Sequence, residues 1–250
     1  MAHKETVRIV DGAENAVLFI HGICGTPDHF RQLLPLEELV PKEWSLYNML
    51  IEGHGKRVED FSHSSMQKWK EYAFRIFNKL CATHKRVIVV GHSMGTLFAL
   101  QMACANPEKV PFALLIASPM RVAVRLSGAA NLMRFPFDKW KENDPLHQAL
   151  RQASSIIPTK KVWKYAGWIP RMVELLQEIK YTEKLLLNLK TPTIACQSLR
   201  DEMVSNRSDK ILKESGVEVV NLPNSTHFYY GPKDLRTVQR VFQDACKKYV

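Results

Sequence analysis

Apolar residues along this chain fall into two alternating patterns. Short unbroken runs, "VLFIHG" (17–22), "RVIVVGHS" (86–93), "FALLIAS" (112–118), "TPTIACQS" (191–198) and "VEVVNLP" (217–223), read as strands buried on both faces. "SLYNMLIEGHG" (45–55) reads as another, running out into a glycine loop. Elsewhere the apolar positions recur at three- and four-residue steps. Trp69, Tyr72, Ala73, Ile76, Phe77 and Leu80 mark an amphipathic helix over 65–84. The same spacing predicts helices over 94–105 and about 234–249, the latter with Leu235, Val238, Phe242 and Ala245 on one face. Residues 27–39 also look helical, interrupted by Pro35. Strand alternating with helix, with fully apolar strands, predicts an α/β architecture: a mostly parallel sheet flanked by helices on both faces.

One region departs from the alternation. Between Pro119 and Thr191 no convincing strand is visible, and the stretch far exceeds an ordinary crossover. The expected organisation is a core of 1–119 and 186–250, with 120–185 inserted as a helical cap over one edge of the sheet. The insertion is rich in large apolar side chains: Leu132, Met133, Phe135, Phe137, Trp163, Tyr165, Trp168, Ile169 and Met172. They either bury the cap against the core or line an apolar acyl tunnel.

Charge sharpens this picture. The formal net charge is +10, and residues 121–190 carry thirteen Lys and Arg against six Asp and Glu, so +7 of it lies in that stretch. A basic face there is either ordinary solvated surface or a site of transient approach to anionic lipid, a micelle or an anionic ester. Basic runs of five or more and aromatic–basic interleaving are both missing, so no nucleic-acid partner is expected. No run of about 18 apolar residues predicts a membrane span, and "MAHKETVRIVDG" lacks the apolar core of a secretory signal. The cysteines (Cys24, Cys81, Cys104, Cys196, Cys246) are odd in number and scattered without metal-ligand spacing. A reduced, cytoplasmic protein without a structural metal is expected.

The candidate chemistry sits where strand 86–93 meets helix 94–105, at Gly91-His92-Ser93-Met94-Gly95. A turn tight enough to hold a side chain above the sheet crowds the positions two before and two after it, so both must be small. Ser93 is thereby the candidate nucleophile, with a helix N-terminus aimed at the same point. A serine hydroxyl needs a base, and the base needs an orienting acid. On this architecture the acid and the histidine follow the serine in that order. Strand 191–198 runs into "LRDEMVS", which offers Asp201 and Glu202; Asp201 comes first off the strand, and Glu202 is expected to point away. Beyond the acid only His227 remains, in "LPNSTHFYYGP". Two N–H donors for an oxyanion, each worth about 3–4 kcal/mol in other serine enzymes, are expected from Met94 and from Ile23 in "FIHGICGTPDHF". His21, Gly22, Cys24 and His92 are expected to line the substrate side, Cys24 as wall rather than nucleophile.

"LFIHGICGTPDHF", "EGHG" (52–55), "VVGHSMG", "DEMVS" and "STHF" together resemble the α/β-hydrolase superfamily. Within it the chain resembles the small bacterial carboxylesterases and monoacylglycerol lipases, over about 1–118 and 186–250. The resemblance implies a serine esterase acting on short-to-medium acyl esters or monoacylglycerols, a small-molecule substrate and no cofactor. Two positions depart from the family: Thr96 stands where a second glycine is common, and Ile23 where an aromatic is common. Acyl thioesterases share Gly-His-Ser-Met-Gly and "THF", and non-catalytic ligand receptors share the fold; both remain open on sequence alone.

Overall fold

The computed structural model describes residues 3–137, 139 and 141–249, with the side chain of Leu132 outside the described ones. Six of its seven strands lie where the unbroken apolar runs placed them: β2 (Asn15–Ile20), β3 (Ser45–Asn48), β4 (Arg86–His92), β5 (Ala113–Ile116), β6 (Thr193–Ser198) and β7 (Glu218–Leu222). The seventh, β1 (Thr6–Arg8), is three residues at a half-exposed edge, too short to show an apolar period. The strand order is β1-β3-β2-β4-β5-β6-β7. β1 runs antiparallel to β3 and every other pairing is parallel.

Side chains alternate across the sheet and feed two cores. Ala16, Leu18 and Ile20 of β2 join Trp69 and Phe77 of α2 (Met66–Thr83) and Leu97 and Leu100 of α3 (Met94–Ala105) on one face. Val17 and Phe19 join Phe30, Trp44, Val238 and Phe242 on the other, the last two from α8 (Pro232–Lys248). α3 is apolar on all sides because it lies between the sheet and further helices, and Met94 to Ala103 are all buried. A five-residue helix, α1 (Val58–Ser62), also precedes α2, and α7 (Ser208–Glu214) lies between β6 and β7.

Residues 27–39 are not a helix. They form two 3-10 turns, Pro27–Phe30 and Glu37–Leu39. Pro35 lacks the N–H that a continuous helix needs there, and its ring would clash with the preceding turn. The first turn starts at Pro27, with the Thr26 side chain accepting the Asp28 N–H at 3.0 Å.

Between β5 and β6 the described residues form α4 (Leu126–Arg134), α5 (Pro145–Ala153) and α6 (Trp168–Leu185), with no strand. The C-terminal half of α6 packs on α3, where the Gln101 side-chain amide donates to Glu178 at 2.6 Å and to Thr182 at 2.8 Å. No described helix is long and apolar enough to cross a membrane.

Candidate active site

The local geometry starts at the turn between β4 and α3. Ser93 has φ 50° and ψ −121°, a conformation non-glycine residues rarely adopt, and its neighbours explain how it is held. A Cβ on Gly91 would lie 2.6 Å from the backbone of Gly95, and one on Gly95 would lie 2.0 Å from the Ile20 carbonyl oxygen. The turn therefore closes only with glycine at both positions. Thr96 adds a support of its own: its hydroxyl donates to the Ser93 carbonyl at 2.7 Å and lies 3.0 Å from Ser118 Oγ. Substituting Gly95→Ala is expected to cost about 3 kcal/mol or more, because the new methyl meets backbone rather than a flexible side chain. Urea unfolding measures it, and a loss below about 1 kcal/mol would mean the turn is not this tight.

Three loops then meet above the carboxyl ends of the strands. His227 Nε2 lies 3.1 Å from Ser93 Oγ, and His227 Nδ1 lies 2.8 Å from Asp201 Oδ2. Since a carboxylate only accepts, Nδ1–H donates to Asp201, which leaves Nε2 free to accept the serine proton. Asp201 is fixed in turn: its Oδ1 accepts the N–H groups of Met203 at 2.8 Å and Val204 at 2.7 Å. Burial disfavours the His227 imidazolium, but the Asp201 charge and hydrogen bond, with the Glu202 charge, outweigh it and raise the His227 pKa. Ser93, Asp201 and His227 are all buried, with Ser93 7% exposed.

Glu202 does not point away. Its carboxyl group is buried, and Oε2 accepts the backbone N–H of His227 at 3.1 Å. The expectation failed because it considered only the direction in which the strand leaves the sheet. The 201–204 turn instead curls over the Asp201 side chain, bringing residue 202 round to the His227 loop.

The loop after β2 supplies the remaining group. His21 is fully buried and accepts the Ile51 N–H at Nε2, 3.0 Å, so its proton is on Nδ1 and is donated to the Gly22 carbonyl at 2.8 Å. Burial drives its pKa down to about 4, so the ring stays neutral. Gly25 N–H also donates to that carbonyl, at 3.0 Å. Two donors thus pin the Gly22–Ile23 peptide, whose N–H points opposite to its C=O. Gly22 sits against the serine: a Cβ there would be 2.9 Å from Ser93 Cβ. On the other side of the serine, Met94 begins α3, and its N–H has no acceptor within the helix.

Both ring nitrogens of His21 are thus engaged by protein. His92 is buried as well and donates from Nε2 to the His227 carbonyl at 3.1 Å. Cys24 has φ 56°, and its carbonyl accepts both the N–H of Ser155 at 3.0 Å and its Oγ–H at 3.1 Å. Burial pushes the Cys24 thiol up to about 12, so it carries no thiolate at neutral pH.

Two further residues join the site that sequence reasoning missed. His29 stacks on His92 with ring centroids 3.7 Å apart, and Tyr230 OH lies 3.4 Å from both His29 Nε2 and the His227 carbonyl. Burial holds His29 and His92 well below the usual histidine range, so both are neutral. No periodicity or spacing links positions 29, 92 and 230, and only the folded chain does.

The aromatic stretch of the 120–185 segment divides in two. Phe135, Tyr165 and Trp168 pack together and against the core, with Trp168 4.8 Å from the Phe61 ring. Met133, Phe137, Trp163, Ile169 and Met172 face outward, Met133 at 76% and Trp163 at 69% exposure. The Leu132 side chain falls outside the described residues.

Comparison with known proteins now fits this geometry. A family model described as "Alpha/beta hydrolase family" matches residues 17–239, nearly the whole chain. The chain belongs to the alpha/beta hydrolase family. By sequence, no curated protein matches it. By structure, this hydrolase-family chain resembles a protein from work on LipS and LipT, two metagenome-derived lipolytic enzymes, at TM-score 0.73 and 18% identity, covering 97% of this chain and 98% of that one. It also resembles a monoacylglycerol lipase of Paleococcus ferrophilus, at TM-score 0.68 and 13% identity with both chains fully covered. A soluble variant of the Saccharomyces cerevisiae monoglyceride lipase, solved with a substrate analog, aligns at TM-score 0.70 and 14% identity over 98% of this chain and 91% of that one. Identities this low speak for the shared fold.

Proposed function

We propose that this hydrolase-family chain is a serine hydrolase of carboxylic esters, with Ser93 as nucleophile, His227 as base and Asp201 as its orienting acid. The observation that carries the reading is the hydrogen-bonded series from Ser93 Oγ through both nitrogens of His227 to Asp201, at 3.1 and 2.8 Å. Ser93 Oγ attacks the ester carbonyl as its proton passes to His227 Nε2. The N–H groups of Ile23 and Met94 hold the oxyanion, on the support of the pinned Gly22–Ile23 peptide and the free first turn of α3. His227 protonates the leaving alcohol, then takes a proton from the water that attacks the acyl-serine and returns it to Ser93 Oγ as the acid departs. Asp201 keeps the imidazole in the tautomer that can accept at Nε2.

The substrate is a small ester, of the short-to-medium acyl or monoacylglycerol class. The outward apolar side chains of the 120–185 segment, set among Arg125, Arg134, Lys160, Lys161 and Lys164, favour transient approach to a lipid or micelle surface. The test is a panel of p-nitrophenyl esters of increasing acyl length, matched thioesters and monoacylglycerol micelles, the micelles at low and high salt. Oxyesters are expected to turn over faster than matched thioesters, and micellar turnover to fall as salt screens the basic face. Thioesters hydrolysed faster would make the chain a thioesterase instead. A chain that turns over nothing and leaves a fluorophosphonate probe unreacted would be a ligand-binding member of the family.

A further inference from the structure

The backbone of His227 is gripped on both sides. Its C=O accepts from His92 on the β4–α3 turn, and its N–H donates to Glu202 Oε2 at 3.1 Å. Glu202 is also joined to the 120–185 segment. Its carbonyl accepts the Arg125 N–H at 2.9 Å, and a Cβ on Gly128 of α4 would come within 2.7 Å of that same oxygen. A carboxyl side chain that is 7% exposed, and spent on the main chain of the base-bearing residue, has no surface role to explain it.

We propose that Glu202 is a positioning residue for His227: its carboxyl group fixes the peptide that carries the imidazole, while its main chain ties that peptide to the start of the 120–185 segment. The inference rests on the serine-hydrolase reading above and adds a residue to it. The physical reason is geometric. The imidazole must meet Ser93 Oγ and Asp201 together, yet the 223–231 loop that carries it has no regular structure to hold it. An anchored N–H and an anchored C=O fix the position of residue 227, so its ring samples few orientations outside the reactive one. The Glu202 charge also faces the ring and favours the imidazolium. The other titratable groups around the ring are Asp201 on the same loop as Glu202, His92 on the β4–α3 turn, His29 on the first 3-10 turn and Tyr230 on its own loop.

Three proteins test this: wild type, E202A and E202Q, each taken through a pH profile of kcat and KM on one p-nitrophenyl ester, with thermal unfolding followed by circular dichroism. Gln keeps an oxygen that accepts the His227 N–H but drops the charge. E202Q is therefore expected to hold kcat on the plateau within about threefold of wild type, with the acid limb moved about half a pH unit lower. E202A leaves the N–H buried and unpaired. It is expected to lose about 10- to 100-fold in kcat with KM changed less than about threefold.

E202A within twofold of wild type would overturn the proposal, as would E202Q losing as much as E202A or an unmoved acid limb in E202Q. Should E202A fail to fold, E202Q decides alone: near-normal kcat with a shifted limb supports the proposal, and any other pair of results overturns it. Failure of the parent reading shows separately, as a wild type that neither turns over ester nor reacts with a fluorophosphonate probe at Ser93.

Discussion

Replacing Ser93 with alanine lowers kcat by about 10⁴- to 10⁶-fold and abolishes fluorophosphonate labelling, while the fold persists. The magnitude follows from removing a nucleophile, since neighbours in such a constellation cannot substitute for the attacking atom. What remains comes from binding and from the oxyanion donors, which the substitution leaves in place. The fold persists because the backbone strain at residue 93 comes from the turn and not from the hydroxyl. Gly91 and Gly95 still close it, and Thr96 still donates to the residue-93 carbonyl. Burst kinetics on a p-nitrophenyl ester, with circular dichroism as the control, measures both halves. A loss below tenfold would remove Ser93 from the mechanism.

Asp201→Asn gives the second large effect, about 10⁴-fold in kcat at neutral pH. Asp201 Oδ2 accepts the Nδ1 proton of His227, and its Oδ1 accepts two backbone N–H groups. An asparagine keeps its oxygen on those two N–H groups and turns its amide toward the ring. The amide donates, so the ring must accept at Nδ1 and carry its proton at Nε2, facing Ser93. A protonated Nε2 cannot take the serine proton. The pH profile gives an independent check. The Asp201 charge and hydrogen bond raise the His227 pKa, so activity in wild type falls on the acid side as the imidazolium forms. Without that charge, the acid limb moves to lower pH. An acid limb that stayed in place would show that another group limits the rate there.

The convergence of Ser93, Asp201 and His227 was legible because each element of it is local or ordinal. The Gly91–Gly95 turn is five adjacent residues with a steric rule, set between the unbroken apolar run of β4 and the apolar stretch of α3. Asp201 and His227 are read by chain order on a sheet whose strands announce themselves as apolar runs. Residues 27–39 were misread because the spacing of Phe30, Leu33 and Leu34 imitates a helical face. Only Phe30 lies in a 3-10 turn, while Leu33 and Leu34 fall between the two turns, and Phe30 and Leu34 are fully buried. Glu202 was misjudged and His29 and Tyr230 were missed for a different reason. Each acts through a partner far away in sequence, Glu202 through residue 227 and His29 through residues 92 and 230. Nothing in the neighbourhood of such a residue reveals the partner. The 120–185 segment was half legible: its richness in large apolar side chains was evident, but not which of them would face out, because Phe135, Phe137, Trp163 and Tyr165 lie in short 3-10 segments with no helical period to read.

The main chain of the 120–185 segment is sewn to the loops on both sides of Ser93. Arg125 holds the Glu202 carbonyl on one side, and Ser155 holds the Cys24 carbonyl on the other. The segment is therefore not an interchangeable module. A chimaera that grafted a relative's insertion between β5 and β6, in the hope of borrowing its selectivity, would sever those stitches and disturb the machinery beneath. Redesign of this chain's preferences should leave residues 121–128 and 154–155 in place and vary what lies between them.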